Sequence, residues 1–136
     1  MSGRRFIDTN IFVYAAINSP DTIAKRLAAV NLLQSTGKIV ISTQVLNEFS
    51  AVLLKKGFSD DSIKTRAENI ASECTLMVVN LKTIQLAWAL RQRYNLSYWD
   101  GLIAASALQA GCTTLFTEDM QHGLMIDSTL RIVNPF

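Results

Sequence analysis

Cysteine is almost missing from this chain of 136 residues: Cys74 and Cys112 are the only two. They are too few for a disulfide scaffold and lack the spacing of a zinc site. The expectation is two small core residues in a reducing compartment. Charge is scarce as well, at 18% of residues with a net value of +2, against 49% hydrophobic residues. That balance excludes a disordered chain and describes a globular one. A weak positive excess permits an anionic partner without requiring one. The opening Met1-Ser2-Gly3-Arg4-Arg5 leads straight into a strand with no apolar signal segment, and no apolar run is long enough to span a bilayer. A cytoplasmic protein without membrane attachment is expected. The length suits a single domain, 1–136, with a core of its own.

What is present is a regular alternation of short apolar strands and amphipathic helices, without linker or repeat. Strands are predicted at Arg5–Ile7, Ile39–Ile41, Leu76–Val79, Thr114–Phe116 and Arg131–Val133. Ser19-Pro20-Asp21 offers a helix start, and Ile23, Leu27, Val30 and Leu33 keep one face apolar to about Ser35, before Gly37. Ser42 or Thr43 can cap a helix running from Val45 to Lys56, which Gly57 stops. Further helices are predicted from Ser59-Asp60-Asp61, from Lys82 to Tyr94, and from Ser97 to Ala110. Short, near-continuously apolar strands separated by helices belong to a parallel sheet covered on both faces. The fold expected is therefore a three-layer α/β/α sandwich with a central, mainly parallel sheet. The strand order does not follow from the pattern.

Four acids stand out against this apolar background. Asp8 ends the first strand in Phe6-Ile7-Asp8-Thr9-Asn10-Ile11, and Asp119 follows Thr117 after the fourth. Glu48 lies at the edge of the apolar arc formed by Val45, Leu46, Phe49, Val52 and Leu53. Asp100 is the only charged residue from Tyr94 through Thr117. Each has a plain explanation: a turn cap for Asp8, a solvated helix edge for Glu48, a first-turn acid behind Ser97 for Asp100, a loop acid for Asp119. Parallel α/β sheets, however, bind ligands outside the carboxyl ends of their strands. Acids converging there would form a set of hard oxygen donors suited to Mg²⁺ or Mn²⁺, and a carboxylate in so apolar a setting costs several kcal/mol unless something compensates it.

Taken in order, these segments resemble a PIN-domain ribonuclease of the VapC type, the toxin half of bacterial toxin–antitoxin pairs. The resemblance rests on Phe6-Ile7-Asp8-Thr9-Asn10-Ile11, Asn47-Glu48-Phe49, Leu96-Ser97-Tyr98-Trp99-Asp100-Gly101-Leu102-Ile103-Ala104-Ala105 and Leu115-Phe116-Thr117-Glu118-Asp119-Met120-Gln121-His122-Gly123. Leu130-Arg131-Ile132-Val133-Asn134-Pro135-Phe136 resembles a common ending of the group, and Gly101 stands where alanine is commoner. The resemblance implies that Asp8 and Asp100 are the main Mg²⁺ (or Mn²⁺) ligands, with Asp119 completing the pocket. It implies that Glu48 holds a second ion or orients the attacking water, while Asn10 and Thr117 support the ligands from behind. It also implies an RNA substrate, a small antitoxin that blocks the acidic pocket, and a homodimer.

Two other classes compete. A phosphoryl-transfer enzyme or receiver domain, phosphorylated on its first aspartate, usually needs a lysine near a later strand end, and no lysine follows Lys82. A solitary PIN-like processing nuclease, or a binding module with vestigial acids, would fit a lost acid, and none is lost. Arg4, Arg5, Lys25, Arg26, Arg91 and Arg93 could track an RNA backbone but read more readily as solvated charges. His122, the only histidine, reads as a loop contact before a general acid, and Trp88 and Trp99 read as core before stacking platforms.

Overall fold

A computed structural model describes residues 3–35 and 37–136. The chain forms a six-stranded sheet in the order β3-β2-β1-β4-β6-β5, from β1 (Arg4–Ile7), β2 (Ile39–Ser42), β3 (Thr75–Met77), β4 (Cys112–Phe116), β5 (Met125–Ile126) and β6 (Leu130–Val133). All neighbours run parallel except β5, which is antiparallel to β6. The helices are α1 (Thr9–Ala16), α2 (Ile23–Gln34), α3 (Thr43–Lys55), α4 (Asp60–Glu73), α5 (Leu81–Tyr94) and α6 (Tyr98–Gln109). The α/β/α sandwich with a mainly parallel sheet is the one expected.

The topology explains the layers. From β1 the chain steps outward to β2 and β3, then returns to place β4 on the other side of β1. Right-handed crossovers put the helices of the outward steps on one face and those of the return on the other. The packing agrees: α1 lies against α2 and α3, α3 against α4, and α5 against α6. The reversal of strand order between β1 and β4 is a topological switch point, where such sheets open a crevice at their carboxyl ends.

The core is built from fully buried Phe6, Ile7, Ile11, Ile41, Phe49, Leu53, Leu90, Ile103, Leu115 and Ile132. Helix α6 is buried on every side from Gly101 to Ala107, as an apolar helix wedged between α5 and the sheet must be. Small residues make that possible. A Cβ on Gly101 would stand 3.1 Å from the Ala87 carbonyl oxygen, so glycine here allows α5 and α6 to approach closely. Gly57 and Gly111 adopt φ of +89° and +73° after α3 and α6, the left-handed ending expected of helix-stopping glycines.

Several local expectations are corrected. Helix α1 was not expected: Ile11-Phe12-Val13-Tyr14-Ala15-Ala16 carries no helical polar stripe, because Ile11, Phe12 and Val13 are all buried. The segment at Ser19 begins with a single 3₁₀ turn, Pro20–Thr22, and α2 itself starts at Ile23. The apolar face of α2 is not fully covered, since Ile23 and Leu27 are exposed. Strand β3 stops at Met77, and Val78 lies beyond it in solvent. Ser42 occupies the cap position of α3 but makes no capping bond, while Thr43 Oγ1 accepts a hydrogen bond from Val79 N. Trp88 and Trp99 are not core residues but are 54% and 60% exposed. In α5 the small side chains Thr83 and Ala87, with Leu90, take the buried face, which turns Trp88 outward.

This distinction is measurable by urea unfolding. Phe49→Ala should cost about 3–5 kcal/mol as a buried aromatic truncation, whereas Trp88→Ala should stay within about 0.5 kcal/mol of the parent.

Candidate functional site

The four acids reach one crevice by different routes. Asp8 leaves β1 and becomes the N-cap of α1, its Oδ1 accepting a hydrogen bond from Thr9 N at 2.7 Å. Asp119 follows β4 by three residues. Glu48 projects from α3, which begins directly after β2. Asp100 does not follow a strand. It lies in the first turn of α6, where Ser97 Oγ accepts a hydrogen bond from Asp100 N at 3.1 Å. Asn95, with φ of 53°, makes the sharp turn out of α5 that aims this helix start at the crevice. All four line a cavity of about 680 Å³.

A chain of hydrogen bonds fixes the acids relative to one another. Thr117, fully buried, donates through Oγ1 to Asp8 Oδ2 at 2.8 Å. The same oxygen accepts from Asp119 N at 3.1 Å and from Asn10 Nδ2 at 3.4 Å. Asn10 Nδ2 also donates to Asp119 Oδ2 at 3.0 Å. Thr9 Oγ1 donates to Glu48 Oε1 at 3.0 Å and so links α1 to α3. Asn10 and Thr117 are thus both hydrogen-bonded to the acids they were expected to accompany. Thr9 was missed, because its side-chain direction can be read only once α1 is known to be a helix. Gln44 was also missed; its Nε2 donates to the Trp99 carbonyl at 3.1 Å.

Burial and like charge shape the acids' protonation. Burial of Asp8, opposed by its bonds from Thr117 and Thr9 and reinforced by Asp119 and Glu48, pushes its pKa up to about 7. Asp100 is raised too, first by burial, against a hydrogen bond from the Ser97 side chain to its carboxyl, and then by Asp119 and Glu48. Among the described residues, no ion pair involves any of the four. The neighbouring Glu118 behaves differently. Lys25 Nζ pairs with it at 2.9 Å and Tyr14 donates to it at 2.7 Å, which outweighs its partial burial and lowers its pKa.

The donor set consists of carboxylate oxygens, with the Asn10 Oδ1 atom buried and unpartnered beside them. In kind, these are donors for a hard divalent cation. Among the described residues, no three His, Cys, Asp or Glu side chains are grouped closely enough, as placed, to hold one ion between them.

The remaining residues singled out in the sequence lie elsewhere. Arg4 donates to the Ala110 carbonyl, Arg5 to Ser35 and Gly37, and Arg93 pairs with Asp127. Arg26 and Arg91 do not line the acidic cavity, whose only lysine or arginine among the described residues is Lys56. His122 Nδ1 accepts from Asn134 N at 3.0 Å, the loop contact expected of it. Cys112 is buried and Cys74 partly so, both as free thiols. No helix among the described residues is long and apolar enough to cross a membrane.

Comparison with known proteins bears on the same architecture. The family model of the PIN domain matches residues 5–123. No curated protein matches the chain significantly. Among solved structures, a toxin–antitoxin complex from Klebsiella pneumoniae is similar at 22% identity and TM-score 0.70, over 97% of this chain and 98% of that one. VapC20 of Mycobacterium tuberculosis, described as a Sarcin-Ricin loop cleaving toxin, is similar at 21% identity and TM-score 0.69, over 85% and 91%. VapBC2 from Rickettsia felis, bound to a DNA fragment from its promoter, is similar at 21% identity and TM-score 0.66, over 96% and 99%. Identities this low establish a shared fold.

The raised acids make stability depend on pH. A carboxyl whose folded pKa lies above its unfolded value binds more protons folded than unfolded between the two. Its contribution is therefore present at low pH and lost as pH rises. For Asp8 the window runs from the ordinary carboxyl value of 3.8 to about 7. In EDTA, the melting temperature of the parent should fall across that window more steeply than that of Asp8→Asn. Parallel curves would show that Asp8 is not protonated in the fold.

Proposed function

The chain belongs to the PIN domain family, and on that basis we propose that it is a metal-dependent endoribonuclease hydrolysing RNA phosphodiester bonds, as the toxin of a toxin–antitoxin pair. The observation that carries the reading is the convergence of Asp8, Glu48, Asp100 and Asp119 on one cavity, with no cation paired to them among the described residues. Such a concentration of unpaired carboxylates is costly to a fold and is useful only to something strongly positive.

Asp8, Asp100 and Asp119 would hold Mg²⁺ or Mn²⁺. The bound ion would offset charge gathering on the phosphate oxygens and lower the pKa of water at the site. The protein's own groups do the positioning. Glu48, its Oε1 held by Thr9, would orient the attacking water and accept its proton. Thr117 and Asn10 hold Asp8 and Asp119 in fixed orientation, so that the carboxylates need not reorganise when substrate arrives.

A small antitoxin is the proposed partner, supported by the complexes to which the fold is similar. An arginine from it would match the acidic pocket in charge and in bidentate geometry. A homodimer and a cytoplasmic setting complete the reading.

Asp8→Asn, Asp100→Asn and Asp119→Asn should each lower RNA cleavage by at least about 100-fold, and EDTA should abolish it. Incubation with total cellular RNA in Mg²⁺ or EDTA, followed by mapping of cut ends, provides the measurement. Undiminished cutting in EDTA would remove the metal from the mechanism. Induction of the chain alone should arrest growth, and Asp8→Asn or co-expression of the adjacent small gene product should relieve the arrest. An arrest that survives Asp8→Asn would separate toxicity from the carboxylates.

A further inference from the structure

Trp99 stands in an unusual place for so large an apolar ring. It precedes Asp100 in the first turn of α6 and is 60% exposed, although the helix behind it is buried on all sides. Its backbone is fixed by the hydrogen bond from Gln44 to its carbonyl, and its ring meets Tyr98 edge-on at 5.3 Å between centroids. A fixed, solvent-facing indole is a surface prepared for contact.

Behind it lies a second cavity of about 580 Å³, whose lining includes Gln44, Asn47, Glu48, Val79, Trp99 and Leu102. Gln44, Glu48, Ala51 and Trp99 also line the acidic cavity, so the two adjoin along a shared wall. The second cavity has no lysine, arginine or histidine in its lining. A phosphate would find no counter-charge there, and the carboxylate of Glu48 would repel it. The walls instead combine an indole and aliphatic groups with two carboxamides. The Gln44 side chain is 7% exposed, and its Oε1 is a buried acceptor without a partner. Flat apolar walls with a few amide groups suit a neutral, planar, hydrogen-bonding ring.

We propose that Trp99 and this cavity hold an unpaired nucleobase of the RNA beside the bond that is cut, Trp99 stacking on its face and Gln44 and Asn47 flanking its edge. The inference rests on the ribonuclease reading and adds a substrate subsite to it. The substrate segment is then single-stranded, because a base inside a duplex cannot leave its stack to enter the cavity without a further cost in pairing. Specificity and cutting become adjacent, since the residue after the stacking platform is Asp100.

Binding can be read without cutting in the Asp8→Asn background, using a short, fluorescently labelled single-stranded RNA and anisotropy. Adding Trp99→Ala should weaken binding roughly 5- to 150-fold, the range for one aromatic–base stack. Trp99→Phe should restore most of the loss. The slope of affinity against salt should be unchanged, because no phosphate contact is removed. Replacing nucleosides one at a time by abasic ones should reveal a position that costs the Asp8→Asn protein as much as Trp99→Ala does. At that position Trp99→Ala should lose nothing further. Equal RNA affinity with and without Trp99, in a protein whose parent still cleaves RNA, overturns the subsite and leaves the nuclease standing. A parent that neither binds nor cleaves RNA overturns both. If Trp99→Ala instead breaks a dimer seen by ultracentrifugation and keeps its RNA affinity, the face belongs to a second copy and the proposal fails.

Discussion

The hydrogen bond from Thr117 to Asp8 is the contact on which the site is built. It joins residues 109 positions apart, is fully buried, and measures 2.8 Å. It spans the switch point between β1 and β4, where Asp8 N also donates to the Phe116 carbonyl at 3.0 Å. On one side it sets the orientation of Asp8, which in turn starts α1. On the other it makes Thr117 Oγ1 free to accept, which draws in the Asp119 amide and the Asn10 carboxamide. A hydroxyl can donate one proton and accept more than one bond. Threonine thus serves as a hub where valine, its near isostere, would leave a buried carboxylate oxygen unpaired.

Around that hub the fold gathers charge of one sign and manages it without a paired cation. Helix starts do part of the work. Asp8 caps α1 and Asp100 sits in the first turn of α6, and the positive ends of helix dipoles stabilise nearby anions by about 0.3–1 kcal/mol each. Protonation does another part, since burial and like charge lift Asp8 to about 7. One neighbouring lysine is engaged beside the site: Lys25 is bound to Glu118, the residue next to Asp119, with Tyr14 completing the group.

The sandwich and the order of most elements were legible because apolar strands and capped helices carry local signals. Strand order was not, because it depends on which helices cover which face. Helix α1 was hidden for a related reason: a short helix buried along much of its length has no polar stripe, and its apolar run resembles a strand. The same burial hid Thr9, whose direction follows from α1. The two tryptophans were misread because composition does not say which face of a helix is covered. Thr83, Ala87 and Leu90 take the inside of α5 and leave Trp88 out. Asp8 and Asp100 stood out as candidates because each is isolated in an apolar stretch, and isolation is visible in sequence where convergence is not.

The plain and the functional readings of Asp8 and Asp100 were posed as rivals, and the structure shows why they need not be. A carboxylate that caps a helix is already held by backbone amides, at the end of the helix where the field favours negative charge. Two such helix starts aimed at one crevice make a place where acids can be concentrated at reduced cost. The remaining repulsion then acts in a graded way, because exposure rises from buried Asp8, through partly buried Asp100 and Glu48, to exposed Asp119. Asp8 at the dry end is the most sensitive to an added positive charge, since low dielectric strengthens its interactions. Asp119 at the wet end is the most accessible to anything entering. An approaching cation therefore meets the exposed, hydrated acid first and the buried one last, and the gradient gives the cavity an inside and an outside.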